Sequence, residues 1–343
     1  MFIEEVGEFG LIKRISGLIQ TKQARDEKII AHIGDDAAVI ATTPRLHTIL
    51  TTDTLVQNVH FKMETITPFA LGYKALAINL SDVAAMAGTP KYALVSLGLP
   101  AKTKVEFVEE IYRGMLDCGS KFGVRIIGGD TSKAPILVIN IVISGEVEPS
   151  LLRKRSEAQI GDKILVTGEL GTSAAGLVLV SDPTLVKNTE KDDALIHTHF
   201  FPTPRVKEAQ IASREGARAM EDISDGLASE IWHICEESRV GARIFSDKVP
   251  IGERVQDVAA RTNRFGTELA LYGGEDYEIV LTAPEAVVDN IKAKVEADTQ
   301  TKVTEIGEIV SEKEGIFLVD VEGRVSKISA FGYEHFRPLE QST

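Results

Sequence analysis

Six short acidic motifs, GDDAA, TTDT, NLSD, GGDT, DISDG and GGED, recur between Asp35 and Asp276, each beside glycine, serine or threonine at the end of an apolar run. Carboxylates and hydroxyls placed in this way are hard oxygen donors of the kind that gather divalent cations. They lie too far apart for one calcium-type loop, so a fold that uses them together has to assemble them from distant segments. That requirement limits the chain to architectures whose strand ends and helix ends converge.

The segments between the motifs alternate in character. Strands are expected at IIAHI from Ile29, AAVIA, LHTILTT, KYALVSLGL, VRIIG and ILVINIVISGEV, and helices at Pro68 to Ala87 and Lys104 to Phe122. Around PSLLRKRSEAQIG the pattern lapses into a polar stretch before a new strand, KILVTG, opens at Lys163. With 343 residues, and about 150 per domain as a prior, the chain reads as two domains, 1–148 and 149–343. In the second, helices are expected from Thr172, from Arg205 to Met220 and from Leu227 to Ser238. Strands GARIFS, YEIVLT and TEIGEIV follow, with helix PEAVVDNIKAKVEA between the last two. The fold class is α/β (α+β), two domains facing each other and sharing the motifs; Asp182 to Phe200 carries no readable pattern.

Each motif admits a bland reading beside the chemical one. Asp35 and Asp36 follow a strand and either cap a turn or point into a cleft. Thr51, Thr52 and Asp53 offer two hydroxyls and a carboxylate, or a simple cap. Asp82 is the sharpest: it sits in ALGYKALAINLSDVAAMAG among apolar neighbours, with Asn79 on the same helical face, and a carboxylate there needs a cation, a metal or an exposed helix end. Gly129 and Asp130 follow the strand VRII, where paired glycines allow close backbone approach. Asp222, Ser224 and Asp225 precede a helix and exceed what one cap needs. Glu275 and Asp276 precede EIVLT in the same manner, and ILVTGELGTSAAG could expose N–H groups to an anion or merely turn the chain.

Composition and absences narrow the chemistry. The 38 basic and 51 acidic residues leave a net charge of −13, which repels nucleic acid and anionic lipid, so a polyanionic ligand requires bridging metal. The amino terminus MFIEEVGEF lacks signal-peptide character and no long uncharged apolar run occurs, so a cytoplasmic protein is expected, with no membrane partner. Cys118 and Cys235 lie in apolar helical patterns and read as core thiols. There is no GxxxxGK[ST] loop, HRD or DFG element, GxSxG elbow or HExxH. Oxygen-ligated metal without a protein nucleophile suits phosphoryl transfer from a magnesium-bound nucleotide.

GEFGLI, GDDAA, TTDTLVQNVHF, YKALAINLSDVAAMAGTP, GGDTS, RSEAQIGDKILVTGELGTSAAGL, DISDGL, GGEDYE and GYEHF, in this order over nearly the whole chain, resemble the thiamine-monophosphate kinase family. The wider superfamily includes aminoimidazole ribonucleotide synthetase. The resemblance implies the two-domain fold of that superfamily, with mixed sheets flanked by helices and a homodimer built on the first domains, nucleotide lying near the interface. It also implies that Asp36, Thr51, Thr52, Asp53, Asp82, Asp130, Asp222 and Asp225 hold several Mg2+ ions, with Asp53, Asp130 and Asp225 closest to catalysis. Tyr112, Gly129, Asp130, Arg155 and Ser224 would serve ATP, and His60, Glu275 and Phe331 thiamine monophosphate. By their own context Arg155 is a linker charge and Phe331 a core ring, and Asp35 orients its loop. The implied reaction is direct γ-phosphoryl transfer to thiamine monophosphate, giving thiamine diphosphate and ADP. Another ATP-dependent enzyme of the superfamily, or a non-catalytic sensor of magnesium-ATP or thiamine phosphate, would share most of these residues.

Overall fold

The computed structural model describes residues 3–22, 26–187 and 189–328; Phe331 lies outside them. The first sheet is built from β1 (Ile29–Ala31), β2 (Ala38–Ala41), β3 (His47–Val56), β4 (Thr89–Leu99), β5 (Arg125–Lys133) and β6 (Val138–Val147) in the order β1-β2-β3-β6-β4-β5. Helices α1 (Ile3–Lys22), α2 (Pro68–Ala85) and α3 (Val105–Phe122) accompany it. Only β4 and β5 run parallel, because α3 connects them as a crossover; the other pairs are antiparallel.

The second sheet contains β7 (Lys163–Thr167), β8 (Met220–Asp222), β9 (Val240–Phe245), β10 (Ile279–Ala283), β11 (Val303–Ser311), β12 (Ile316–Val319) and β13 (Val325–Lys327). Their order is β13-β12-β9-β11-β7-β10-β8. Around it pack α4 (Thr172–Ser181), α5 (Glu190–Phe200), α6 (Val206–Arg214), α7 (Leu227–Ser238), α8 (Glu253–Arg261), α9 (Gly266–Tyr272) and α10 (Glu285–Thr299). Among the described residues no helix is long and apolar enough to cross a membrane.

α2 is the central element. Thr67 caps it by accepting a hydrogen bond from Ala70 N at 3.2 Å, and Pro68 occupies its first turn, where its missing N–H costs nothing. From Ala70 to Ala85 every residue is buried except Asp82. The helix covers one face of the first sheet, and its carboxy-terminal part also reaches the second core through Ala84 and Ala85. Its contact with α3 is close enough to demand glycine: a Cβ on Gly72 would sit 1.8 Å from the Ile111 carbonyl oxygen, and one on Gly114 1.9 Å from that of Phe69. Both cysteines are buried.

Several boundaries differ from expectation. The helix expected from Arg205 to Met220 stops at Arg214, and Gly216, at φ +103°, turns the chain so that Met220 to Asp222 becomes the edge strand β8. The stretch without a pattern contains α5, whose polar sequence buries only Asp192, Leu195 and His199 among its described positions. Gly72→Val is expected to lower the urea midpoint by forcing α2 and α3 apart, with a loss of about 3 kcal/mol. An unchanged midpoint in equilibrium unfolding would show that the helix pair can move apart without loss.

Candidate phosphoryl-transfer site

Strand alternation sorts the TTDT motif. Thr51 and Asp53 face α2: the Thr51 hydroxyl donates to Asp82 Oδ2 at 2.5 Å, and Asp53 N donates to Asn79 Oδ1 at 2.9 Å. Asn79 is itself fixed, its Nδ2 donating to Ala75 O at 3.1 Å. Thr52 faces the other way, where Asn140 Nδ2 donates to its hydroxyl at 3.0 Å and to that of Thr54 at 2.8 Å. The structure therefore does not bring the Thr52 hydroxyl to Asp82.

The carboxyl end of α2 meets β8, placing Asp82 beside Asp222 as well as Asp53. Burial, then the charges of Asp53 and Asp222, hold the Asp82 carboxyl well above the usual carboxylate range. Burial raises Asp53 to about 6, and burial with Asp36 raises Asp222 well above its ordinary value. Asp225 is pushed up to about 8 by burial and then by Glu230. Asp222 Oδ2 is buried with no hydrogen-bond partner among the described residues. An all-oxygen donor set with crowded carboxylates and an orphaned buried oxygen fits magnesium.

Arg155 closes this cluster from the start of the second half. Its NH2 donates to Asp36 Oδ1 at 2.7 Å and lies 2.9 Å from Glu221 Oε1, while Nε reaches Asp36 Oδ2 at 3.4 Å and NH1 reaches Gly34 O at 3.3 Å. Its backbone N–H donates to Asp35 Oδ1 at 3.0 Å, so Asp35 does order the loop. Far from being a loose linker charge, Arg155 is the principal tie between GDDAA and the second half. Sequence alone did not show this, because its partners lie 119 and 66 residues away.

DISDG and GGED form one structure. Glu275 N donates to Ser224 O at 2.6 Å, Tyr277 N to Ile223 O at 2.8 Å and Ile223 N to Glu278 O at 2.7 Å. A Cβ on Gly274 would lie 2.5 Å from Ser224 O, which explains the glycine. Glu275, at φ +68°, presents its carboxylate to Lys74 Nζ on α2 at 2.9 Å and to His199 Nδ1 at 3.5 Å. Burial opposes ionisation, but Lys74, then His199 and His60, hold Glu275 below its usual range. His60 is oriented by accepting the Val56 N–H on Nδ1 at 2.9 Å. Lys74 and His199 escaped the sequence reading; a lysine inside an apolar helix was the available signal.

Asp276 has a different task. It accepts from Gly171 N at 2.6 Å, Ser173 N at 3.0 Å and Thr172 Oγ1 at 3.1 Å, so the N–H groups at the start of α4 already hold an internal anion. Gly129 and Asp130 lie on β5. A Cβ on Gly129 would come within 1.8 Å of Val95 O, and exposed Asp130 accepts from the Ser132 hydroxyl at 3.0 Å. In sheet register Asp130 lies in line with Ser96, Asn140 and Thr54, on the Thr52 face rather than the Asp53 face. Half-buried Tyr112 packs on the first core from α3.

Two family descriptions match the chain: AIR synthase related protein, N-terminal domain, over residues 34–147, and AIR synthase related protein, C-terminal domain, over 159–320. The thiamine-monophosphate kinase of Bacillus subtilis (strain 168) is 35% identical over 332 residues, spanning 96% of this chain and 99% of that protein. The chain belongs to the thiamine-monophosphate kinase family. The Aquifex aeolicus (strain VF5) member is 35% identical over 339 residues, 98% of this chain and 100% of its own length. Among solved members of the thiamine-monophosphate kinase family, AaThiL complexed with AMPPCP and TMP aligns with a TM-score of 0.83 at 33% identity, covering 98% of this chain and 99% of that one. Hydrogenase maturation protein HypE in complex with ATP shares the fold at 17% identity, with a TM-score of 0.67 and coverage of 93% and 95%.

The buried carboxyls make apo stability fall with pH. Asp276 (about 7), Asp225 (about 8) and His233 (about 11) all have folded pKa values above their ordinary ones, so the folded state holds protons that the unfolded chain releases. His199, lowered to about 4 by burial and then by Lys74, opposes this only below its ordinary 6.5. In EDTA the urea midpoint is expected to drop between about pH 6.5 and about pH 8.5, and added magnesium to restore more at the upper end. A midpoint that rises over that interval would contradict the assignment of these protons.

Proposed function

We propose that this chain transfers the γ-phosphoryl group of ATP to thiamine monophosphate, yielding thiamine diphosphate and ADP. What carries the reading is the convergence of Asp36, Thr51, Asp53, Asp82, Asp222 and Asp225 at one junction, with Glu275, paired to Lys74 and His199, on the adjoining GGED loop. The family membership supports ATP and thiamine monophosphate as its substrates, in line with the relative complexed with AMPPCP and TMP.

Asp36, Thr51, Asp53, Asp82, Asp222 and Asp225 would hold magnesium ions, which supply charge neutralisation between the two phosphate-bearing substrates. The chain itself contributes fixed placement. Thr51 fixes the Asp82 carboxyl, Asn79 holds the Asp53 backbone N–H, and the Ser224 to Glu275 backbone bond sets the distance between metal-side and acceptor-side loops. The acceptor phosphate has a second pKa of about 6, so it arrives as a nucleophile without a strong general base. No covalent phosphoenzyme is required, since no serine, cysteine or histidine nucleophile is needed for attack by an ionised phosphate. Glu275, already compensated by Lys74, acts toward thiamine as a hydrogen-bond acceptor more than as a bare charge, with His60 and Phe331 completing the acceptor side. Arg155 and Ser224 serve ATP, the arginine exchanging its Gly34 carbonyl bond for phosphate.

The reading divides the chain at 148/149, the first part carrying nucleotide, metal and dimerisation surfaces and the second completing the site in a cytoplasmic enzyme. Leu50, Tyr92 and Leu94 are exposed along one face of the first sheet, opposite α2, in line with Ser144, Val142 and their neighbours. An apolar sheet face left open in this way supports a homodimer built on it. Asp130, Gly129 and the Thr52 side chain border that surface and contribute to nucleotide and metal binding from there, with Tyr112 reaching the base from α3. The dimer is tested by light scattering: Leu94→Glu is expected to shift a homodimer to monomer, and a monomeric wild type at micromolar concentration would remove this part of the reading.

The decisive assay measures ADP release with ATP, magnesium and thiamine monophosphate. Release dependent on thiamine monophosphate, with thiamine diphosphate formed, is expected; flat ADP with and without acceptor would favour a sensor. Asp53→Asn should fold normally and lose turnover on the order of 10³-fold, because it removes an anionic ligand of the magnesium that would hold the transferring phosphoryl group. Near-normal turnover of that variant at saturating magnesium would refute the assignment.

A further inference from the structure

Behind the metal-side loops lies a buried ionic cluster to which the reading above gives no role. Glu221 and Asp222 are adjacent on β8, both buried, and project to opposite sides of the strand. Glu221 points to α7, where Glu230 and His233 stand three residues apart on one face. His233 Nδ1 lies 2.7 Å from Glu221 Oε1 and 3.1 Å from Glu230 Oε2. The two carboxylates lead in different directions. Glu221 Oε1 also receives Arg155 NH2 at 2.9 Å, and Glu230 Oε1 accepts the Asp225 N–H at 2.8 Å.

We propose that His233 is a positioning residue for phosphoryl transfer: as an internal cation between Glu221 and Glu230, it holds Arg155 through the first and the Asp225 turn through the second. This rests on the reading that Arg155 serves ATP and Asp225 serves metal. Two buried carboxylates sharing one small volume repel unless a cation lies between them. Arg155 pairs with Glu221, whereas His233 reaches both carboxyls, and burial pushes Glu221 well above the usual carboxylate range against the pull of Arg155 and His233. Burial works against charge on the ring, but Glu221 and Glu230 push the imidazole up to about 11, so it stays protonated across neutral pH. Phe9 of α1 packs at a tilt on the ring, with centroids 5.1 Å apart. The same three side chains also offer ligand atoms within 4.8 Å of one another, the spacing of a metal site. The Arg155 guanidinium on the very oxygen that His233 uses argues for an imidazolium there and against a second metal ion.

The test compares wild type, His233→Gln, the charge-balanced double variant His233→Gln/Glu230→Gln, and Arg155→Gln, measuring kcat and both KM values. His233→Gln is expected to raise KM for ATP by roughly ten-fold and to lower kcat, with KM for thiamine monophosphate within about two-fold, as loss of a group orienting ligand-binding residues does. The double variant restores KM for ATP, because it removes one negative charge along with the positive one while keeping an acceptor for the Asp225 N–H. If the ring served only packing, both variants would lose thermal stability alike without changing the ratio of the two KM values, which would overturn the proposal. So would a stoichiometric transition metal in dialysed wild type that His233→Gln lacks. Should His233→Gln fail to fold, the double variant decides: normal KM for ATP supports the cation role and a raised one refutes it. A raised KM for ATP in Arg155→Gln with unchanged constants in His233→Gln defeats this proposal alone; unchanged KM for ATP in Arg155→Gln defeats the ATP reading and the proposal with it.

Discussion

The structure depends on how it balances buried negative charge. Asp36, Asp53, Asp82, Asp222, Asp225, Glu221 and Glu230 converge where the end of α2, the loop after β1 and the edge strand β8 meet, and among the described residues Arg155 and His233 are the cations that pair there. Arg155 matters most because it touches both halves, pairing with Asp36 of the first sheet's loop and Glu221 of the second sheet. Breaking a buried pair of this kind typically costs about 3–5 kcal/mol, since the abandoned carboxylate has no water to turn to. Asp53, Asp82, Asp222 and Asp225 are not among the ion-pair partners of Arg155 or His233.

The acceptor side follows the same logic with a different outcome. Lys74, nearly enclosed within α2, meets Glu275 at 2.9 Å, and His199 approaches the other oxygen at 3.5 Å. Charge there is already matched before any ligand arrives. On the proposed reading, a metal side short of cations would draw multivalent cations, and an acceptor side already matched in charge would leave hydrogen bonding to discriminate.

Much of this was legible in the chain. The apolar periods of α2 and α3, the alternation of β3 and β6, and the motif order that resembles the thiamine-monophosphate kinase family all survive in the structure. Asp82 stood out because a carboxylate amid alanine and leucine has few explanations. Less legible were elements whose partners are remote. α5 is polar along most of its length, and α6 ends where Gly216 turns rather than where its pattern fades. Thr52 read like its neighbour Thr51, yet strand alternation sends it to the opposite face, and Asp276 read like Glu275 until its three donors at the start of α4 were seen.

The sequence by itself determined the kind of chemistry: oxygen donors in a particular order, no side-chain nucleophile motif, and a family whose relatives act on thiamine monophosphate. Residue type sets donor hardness and charge, and those are local properties. Only the tertiary structure decided which carboxylates are neutralised internally and which are left without a cation beside them among the described residues. Asp276 is taken up by α4, Glu221 and Glu230 by Arg155 and His233, while Asp82 and Asp222 keep their charge problem. Burial and through-space distance govern that division, and neither is written in separation along the chain.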